Sequence, residues 1–222
     1  MAEKEVATLR FEPLEKISGL KHRFVGRIPA AGRMTTDKDE ALRVLEPYHR
    51  VEVGELGRTW EQVATAEQVH GAEIAQVDRE SCSRVASGVD GLITNCPDTL
   101  LGIYVADCGA VSIVDPVQRA VGLVHSGRKG SELDITGAAI RALNQAYGSD
   151  PDDLVVHLAP CIRPPDYEVD FSVMIRDSAL AAGVREGRFH DCEISTSRDL
   201  SRFYSYRIEK GATGRMLALL GW

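Results

Sequence analysis

Short apolar runs crowd the middle of the chain. Those at 62–69, 73–77, 91–95, 100–105, 111–114 and 120–125 are rich in Val, Ile or Leu and are bounded by Gly, Pro, Asp or Asn. That is the composition and punctuation of strands. Helical spacing interrupts them. A helix is expected over 37–49, where Leu42, Val44, Leu45 and Tyr48 follow a capping Asp37, and another over 134–147, with Ile135, Ala138, Ala139, Ala142 and Leu143. A third is expected over 171–182, and a strand at 154–158 separates the last two helices. The order is neither strictly alternating nor all-β, which places the chain in the α+β class. No repeat or low-complexity segment is present.

Composition narrows the picture. At 222 residues, 44% hydrophobic and 27% charged, the chain suits one globular domain spanning 1–222, large enough to bury a core without disulfide staples. The net charge of -7 and the absence of any Lys/Arg block oppose binding to a phosphate backbone, so nucleic acid is excluded as a partner. The start, Met1-Ala2-Glu3-Lys4-Glu5, lacks the basic and apolar regions of a signal peptide, and no apolar run has membrane-spanning length. Cys82, Cys96, Cys108, Cys161 and Cys192 are odd in number and scattered. They read as free thiols in a reducing compartment, and the expected location is the cytoplasm.

Three residues stand at the ends of apolar runs, where a rigid scaffold often presents chemistry: His70, Cys108 and His125. Each also has a plain reading. Cys108 fits a packed, inert thiol, and the histidines fit satisfied side chains at strand ends. Cys108 and His125 would equally serve as a nucleophile and its base. No short-range metal spacing joins the three, so only the fold can bring them together. His22, His49, His157 and His190 match no motif, and no His-x-His pair occurs. Ser126-Gly127-Arg128-Lys129-Gly130 is glycine-rich and cationic; it reads either as an anion-binding turn or as a solvated turn with two surface cations.

The words around these residues occur in one order: Gln68-Val69-His70-Gly71, Asp90-Gly91-Leu92-Ile93-Thr94, Ala106-Asp107-Cys108, Val121-Gly122-Leu123-Val124-His125-Ser126-Gly127, Ala159-Pro160-Cys161-Ile162 and Tyr167-Glu168-Val169. This series resembles the laccase-domain purine nucleoside phosphorylase family, once labelled multicopper polyphenol oxidases and including peptidoglycan editing factors. The resemblance runs from about Arg23 to Met216. It implies sheets packed face to face with helices outside, and Zn2+ held by His70, Cys108 and His125. Two imidazoles and one thiolate leave the fourth tetrahedral position open, as a catalytic zinc requires.

The same resemblance implies a small-molecule substrate, a nucleoside with phosphate. His22-Arg23-Phe24-Val25-Gly26-Arg27 is similar to the family's His-Gly-Phe-Ser-Thr-Arg, which makes Arg27 a candidate anion ligand beside Lys129; Gln68 and Arg128 are further candidates for substrate binding. Asp107 and Glu168 are candidate proton carriers. Three departures bear on substrate choice, one of them a stretch between Val169 and Cys192 shorter than in typical relatives. Arg128 replaces the family's usual aromatic residue, and Ile208 stands where a second arginine is usual. The expected activity is zinc-dependent phosphorolysis of adenosine or inosine, with adenosine deamination beside it; a cell-wall precursor editing hydrolase, a metal-free Cys-His hydrolase and a noncatalytic zinc protein are the rival readings. Six histidines without a His-x-His pair argue against true laccase chemistry, which needs paired copper ligands.

Overall fold

The computed structural model describes residues 6–222 apart from 81, 83 and 84. The stretch 1–5, on which the reading of the amino terminus rests, lies outside the described residues. The strands are β1 (Thr8–Leu9), β2 (Lys21–Val25), β3 (Val63–Ala66), β4 (Ile74–Gln76), β5 (Val85–Ala86), β6 (Gly91–Thr94), β7 (Leu100–Val105), β8 (Gly109–Asp115), β9 (Ala120–Ser126), β10 (Val155–Leu158), β11 (Phe189–Asp191) and β12 (Met216–Gly221). The α-helices are α1 (Glu12–Glu15), α2 (Lys38–Gly54), α3 (Arg128–Glu132), α4 (Ile135–Tyr147) and α5 (Phe171–Ala181).

Two six-stranded mixed sheets result, in the orders β1-β2-β12-β7-β3-β5 and β11-β10-β8-β9-β6-β4. Alternation along the central strands builds two cores. On β9, Val121 and Leu123 join the core shared with the first sheet, while Ala120 and Val124 face the core beneath α4 and α5. On β8, Ala110 and Val114 point one way and Val111 and Ile113 the other. Both strands are buried along their whole length, so their sequences read as continuous apolar runs. This is the expected α+β domain, with sheets packed face to face and helices on the outside. Among the described residues, no helix is long and apolar enough to cross a membrane.

The helices follow their local signals. Asp37 caps α2 by accepting hydrogen bonds from the backbone N–H groups of Asp39 and Glu40, both at 2.9 Å. The helix runs five residues beyond the expected 37–49, because Glu52 and Val53 are buried and Glu52 pairs with Arg23 of β2. Gly148, at φ 71°, closes α4 in the left-handed conformation that glycine adopts without strain.

Other differences have equally local causes. The run 62–69 forms a strand only over Val63–Ala66, because Gln68 turns into the left-handed region at φ 64°. Its side chain replaces the lost backbone pairing: Nε2 donates to the Tyr104 carbonyl at 2.6 Å and Oε1 accepts from the Tyr104 N–H at 2.9 Å. Arg128 to Glu132, read as a turn, is the short helix α3. Five strands lie outside the expected runs: the short β1, β5 and β11, together with β2 and β12. The latter is an unalternating run, Met-Leu-Ala-Leu-Leu-Gly, buried throughout and hydrogen-bonded between β2 and β7.

Topology sets where the chemistry lies. β3 and β7 run parallel, with Val63 opposite Leu100 and Thr65 opposite Gly102, so both leave the first sheet at the same end. Each then crosses to the second sheet, β3 into β4 and β7 into β8. His70 lies in the first crossing and Cys108 in the second. β9 returns antiparallel to β8 and sets His125 opposite Ala110, beside the second crossing.

Because β12 fills the middle of the first sheet, truncating its fully buried Leu220 is expected to lower stability by about 2–5 kcal/mol. Urea unfolding of Leu220→Ala checks this. A loss under about 1 kcal/mol would mean that the strand is not packed as described.

Candidate metal centre

The three sheet ends bring His70, Cys108 and His125 together. Their ligand atoms all lie within 4.8 Å of one another, and the two imidazole rings meet edge to face at 4.8 Å between centroids. Zinc bonds of ~2.0 Å to nitrogen and ~2.3 Å to sulfur correspond to ligand separations of about 3.3 to 3.6 Å, so small side-chain shifts close the set around an ion. His125 is buried, Cys108 half-buried and His70 exposed, which leaves one side of the cluster open.

Asp90 holds this geometry. Its carboxylate is fully buried and accepts hydrogen bonds from the backbone N–H groups of Val69, His70 and Gly71 at 3.0, 2.9 and 2.7 Å. It also bonds His125 Nδ1 at 2.8 Å. One side chain thus fixes the loop carrying His70, which sits at φ 62°, and the ring of His125. With Nδ1–H given to the carboxylate, Nε2 is left as the ligand atom. Burial pushes the Asp90 pKa up, but the bonds from His125 and Gly71 outweigh it and the net shift is downward, so the carboxylate stays ionised.

The thiol is primed in the same way. Burial raises the Cys108 pKa, yet the charge and hydrogen bond of His125, followed by those of His70, bring it well below the ordinary thiol value. Burial lowers His125, while Cys108 and Asp90 raise it further than burial depresses it. The pair favours thiolate beside imidazolium, and the thiolate is the form that binds metal or attacks an electrophile. Gly127 makes room for it: a Cβ there would lie 2.4 Å from the Cys108 sulfur.

The cluster forms part of the wall of a cavity of about 620 Å³, a size that suits a small organic ligand. Tyr167, Phe171, Tyr206 and Ile162 give it apolar surface, and Lys38, Arg128, Arg207, Lys210 and Arg215 give it positive charge. Of the candidates from the sequence, Gln68, Asp107 and Arg128 line it. The Gln68 amide is engaged with Tyr104, and Arg128 is paired with Glu132 at 2.9 Å. Asp107, at φ 84°, accepts from Thr196 Oγ1, Ser205 Oγ and the Arg207 N–H at 2.7, 3.0 and 2.7 Å. It fastens the 205–207 segment over the cavity.

Three candidates stand apart from that lining. Arg27 is bonded to Glu209 at 2.7 Å and to the Phe203 carbonyl at 3.1 Å, and lies 4.3 Å above the Tyr204 ring. Lys129 is exposed on α3. Glu168 is exposed and pairs with Arg207 at 3.1 Å. Sequence reasoning gave no role to Asp90, Lys38 or Arg215. Asp90 had a signal, an acid opening an otherwise apolar strand, whereas Lys38 looks like any solvated lysine in a first helical turn.

Comparison with known proteins agrees with this architecture. A family model described as multi-copper polyphenol oxidoreductase laccase matches residues 31–176 and 169–222. Purine nucleoside phosphorylase YlmD of Geobacillus stearothermophilus is 30% identical over 198 residues, covering 72% of each chain. Purine nucleoside phosphorylase of Deinococcus radiodurans is 28% identical over 218 residues, covering 87% of this chain and 83% of its own. Among solved structures, a Bacillus licheniformis hypothetical protein, YfiH, superposes with a TM-score of 0.82 at 21% identity, covering 93% of this chain and 94% of that one. YlmD from Geobacillus stearothermophilus gives 0.80 at 24% identity, with 95% and 93% covered. Matched over most of its length, the chain belongs to the multi-copper polyphenol oxidoreductase laccase family, the laccase-domain family whose members include proteins named purine nucleoside phosphorylases.

Proposed function

We propose that this protein is a zinc-dependent purine nucleoside phosphorylase acting on adenosine or inosine, with adenosine deamination as a second reaction of the same site. The observation that carries this reading is the convergence of His70, Cys108 and His125 on one cavity, in a chain whose relatives bear the phosphorylase name. The donor set suits zinc: two neutral imidazoles and a thiolate form a borderline-soft site with one position open. Asp90 orients His125 as a carboxylate behind a metal-bound histidine does. Gly127 leaves the sulfur the space that a side chain would fill.

When bound, zinc would lower the pKa of a water molecule or polarise the purine. The remaining work falls to the protein. Tyr167 and Tyr206 offer aromatic faces for the base, with Phe171 edge-on to Tyr167 at 5.9 Å between centroids. The cavity cations lower the cost of bringing a phosphate beside the sugar. A phosphate oxygen then bonds to C1′ as the bond from C1′ to the base nitrogen breaks; its electron pair leaves on the base, which takes up a proton. Asp107 and Glu168 remain the carboxylates to test for that proton. Asp107 is held in the wall by three donors, and Glu168 stands at the rim with Arg207. All five cysteines are free, which suits a cytoplasmic enzyme.

Incubation of the zinc-loaded protein with adenosine or inosine should consume phosphate and yield ribose 1-phosphate with free base. Absence of turnover on every purine nucleoside, unrescued by Arg128→Trp, would sink the reading in favour of a cell-wall editing hydrolase or a noncatalytic protein.

The purified protein should carry about one zinc per chain. Cys108→Ala should largely empty the site, Asp90→Asn should weaken zinc affinity by about 10- to 100-fold, and Gly127→Ala should displace the thiol and reduce occupancy. Elemental analysis during a chelator titration checks all three. Full occupancy in Cys108→Ala would remove the thiolate from the site. Copper loading should produce negligible oxidation of phenols, read as oxygen uptake, because the chain lacks paired copper-ligand histidines.

A further inference from the structure

Two cations on the wall of the cavity have no acid of their own. Lys38 opens α2, and Arg215 immediately precedes β12. Both line the cavity that contains the His70–Cys108–His125 cluster, and both are half-buried. Lys38 Nζ donates to the Glu67 carbonyl at 2.8 Å. Arg215 Nη1 donates to the carbonyls of Thr213 and Gly214, each at 3.0 Å. An ammonium has three N–H donors and a guanidinium five, so each side chain keeps donors that no described protein atom accepts.

Neighbouring cations are neutralised differently. Arg128 pairs with Glu132 and Arg207 with Glu168, while Lys210 is exposed to water. Arg27, which the sequence offered for an anion, pairs with Glu209 away from the cavity lining. Lys38 and Arg215 form no ion pair among the described residues. The acids acting on Lys38 from farther off are engaged or solvent-facing: Asp90 holds His125 and the 69–71 backbone, Glu67 accepts from Ser87 and Gly88, and Asp39 is exposed on α2. Around Arg215, Asp107 is bonded to Thr196, Ser205 and Arg207, the Tyr206 ring lies 5.9 Å away, and Cys108 belongs to the metal cluster.

Burial and the charge of Arg215 both lower the Lys38 pKa, and burial lowers that of Arg215. Placing two partly desolvated like charges within mutual range is unfavourable, and an anion between them reverses the sign of that interaction. A phosphate group matches the donors left over: its oxygens accept from an ammonium as a point charge and from a guanidinium edge along two parallel bonds.

We propose that Lys38 and Arg215 form the seat of a phosphate group in this cavity, beside the His70–Cys108–His125 cluster. The assignment rests on the phosphorolysis reading only for the source of that group, which is either free phosphate or the phosphate ester of a nucleoside 5′-phosphate. The seat itself is tested without turnover.

Calorimetric titration of the zinc-loaded protein with inorganic phosphate, and separately with adenosine 5′-monophosphate, should show one site for at least one of the two. Lys38→Met and Arg215→Gln should each weaken that binding by about 10- to 100-fold, the effect of one lost charge-assisted contact. Arg215→Lys should restore part of it, and zinc content should stay unchanged in all three variants. Binding of inorganic phosphate identifies the free anion; binding of the monophosphate alone identifies the ester. During nucleoside phosphorolysis, the same variants should raise KM for phosphate while leaving KM for the nucleoside in place. Unaltered phosphate-group affinity in both Lys38→Met and Arg215→Gln, or a wild-type protein that binds neither probe, overturns the seat. Phosphate binding that depends on the pair without any nucleoside turnover overturns phosphorolysis and leaves the seat standing.

Discussion

A single buried carboxylate carries the geometry of the site. Asp90 has no exposure to solvent and serves four donors, three of them consecutive backbone N–H groups that approach from a loop belonging to the other sheet's strand. An ionised group so placed is stable only while those donors remain in position. Without it the 69–71 backbone loses its three side-chain bonds to the β6 end, leaving only backbone ties at Gln68 and Glu73, and the His125 ring loses the bond that selects which nitrogen faces the cavity. The same arrangement joins the two sheets at their crossing, so architecture and chemistry depend on one set of hydrogen bonds.

The crossings explain why residues so distant in sequence form one cluster. Parallel pairing of β3 and β7 sends two connections out of the first sheet at the same end, and antiparallel pairing of β8 and β9 returns His125 to that end. Gln68 and Asp107, in the left-handed region at φ 64° and 84°, steer each connection and tie it down with their side chains, one to β7 and the other to the 205–207 segment. Unfavourable backbone conformations collect here because the chain must change direction sharply within a few residues of His70 and Cys108.

Much of this was legible in the sequence. The apolar runs of β6 to β9 and the heptad-like spacing of α4 stand out because burial on both faces, or on one helical stripe, leaves a periodic trace. The convergence of His70, Cys108 and His125 was legible through the words around them, since their spacing says nothing. β12 escaped because an apolar run without alternation fits a strand or a buried helix equally well. Lys38 escaped because its role depends on Arg215, a residue that only the fold brings near. Nothing local to Arg27 signals that Glu209, distant in sequence, engages its guanidinium.

The position of β12 has a consequence for how the molecule is made. In the first sheet it lies between β2 and β7, yet it follows both in the chain, β2 by nearly the whole length of the domain. During synthesis those two strands leave the ribosome with open, unpaired edges and nothing to hold them side by side. Such edges invite pairing with other chains, and closing so distant a contact is slow. The first sheet therefore cannot be completed until Met216 to Gly221 have been synthesised, whereas the second sheet, β11-β10-β8-β9-β6-β4, contains no strand that must wait for them.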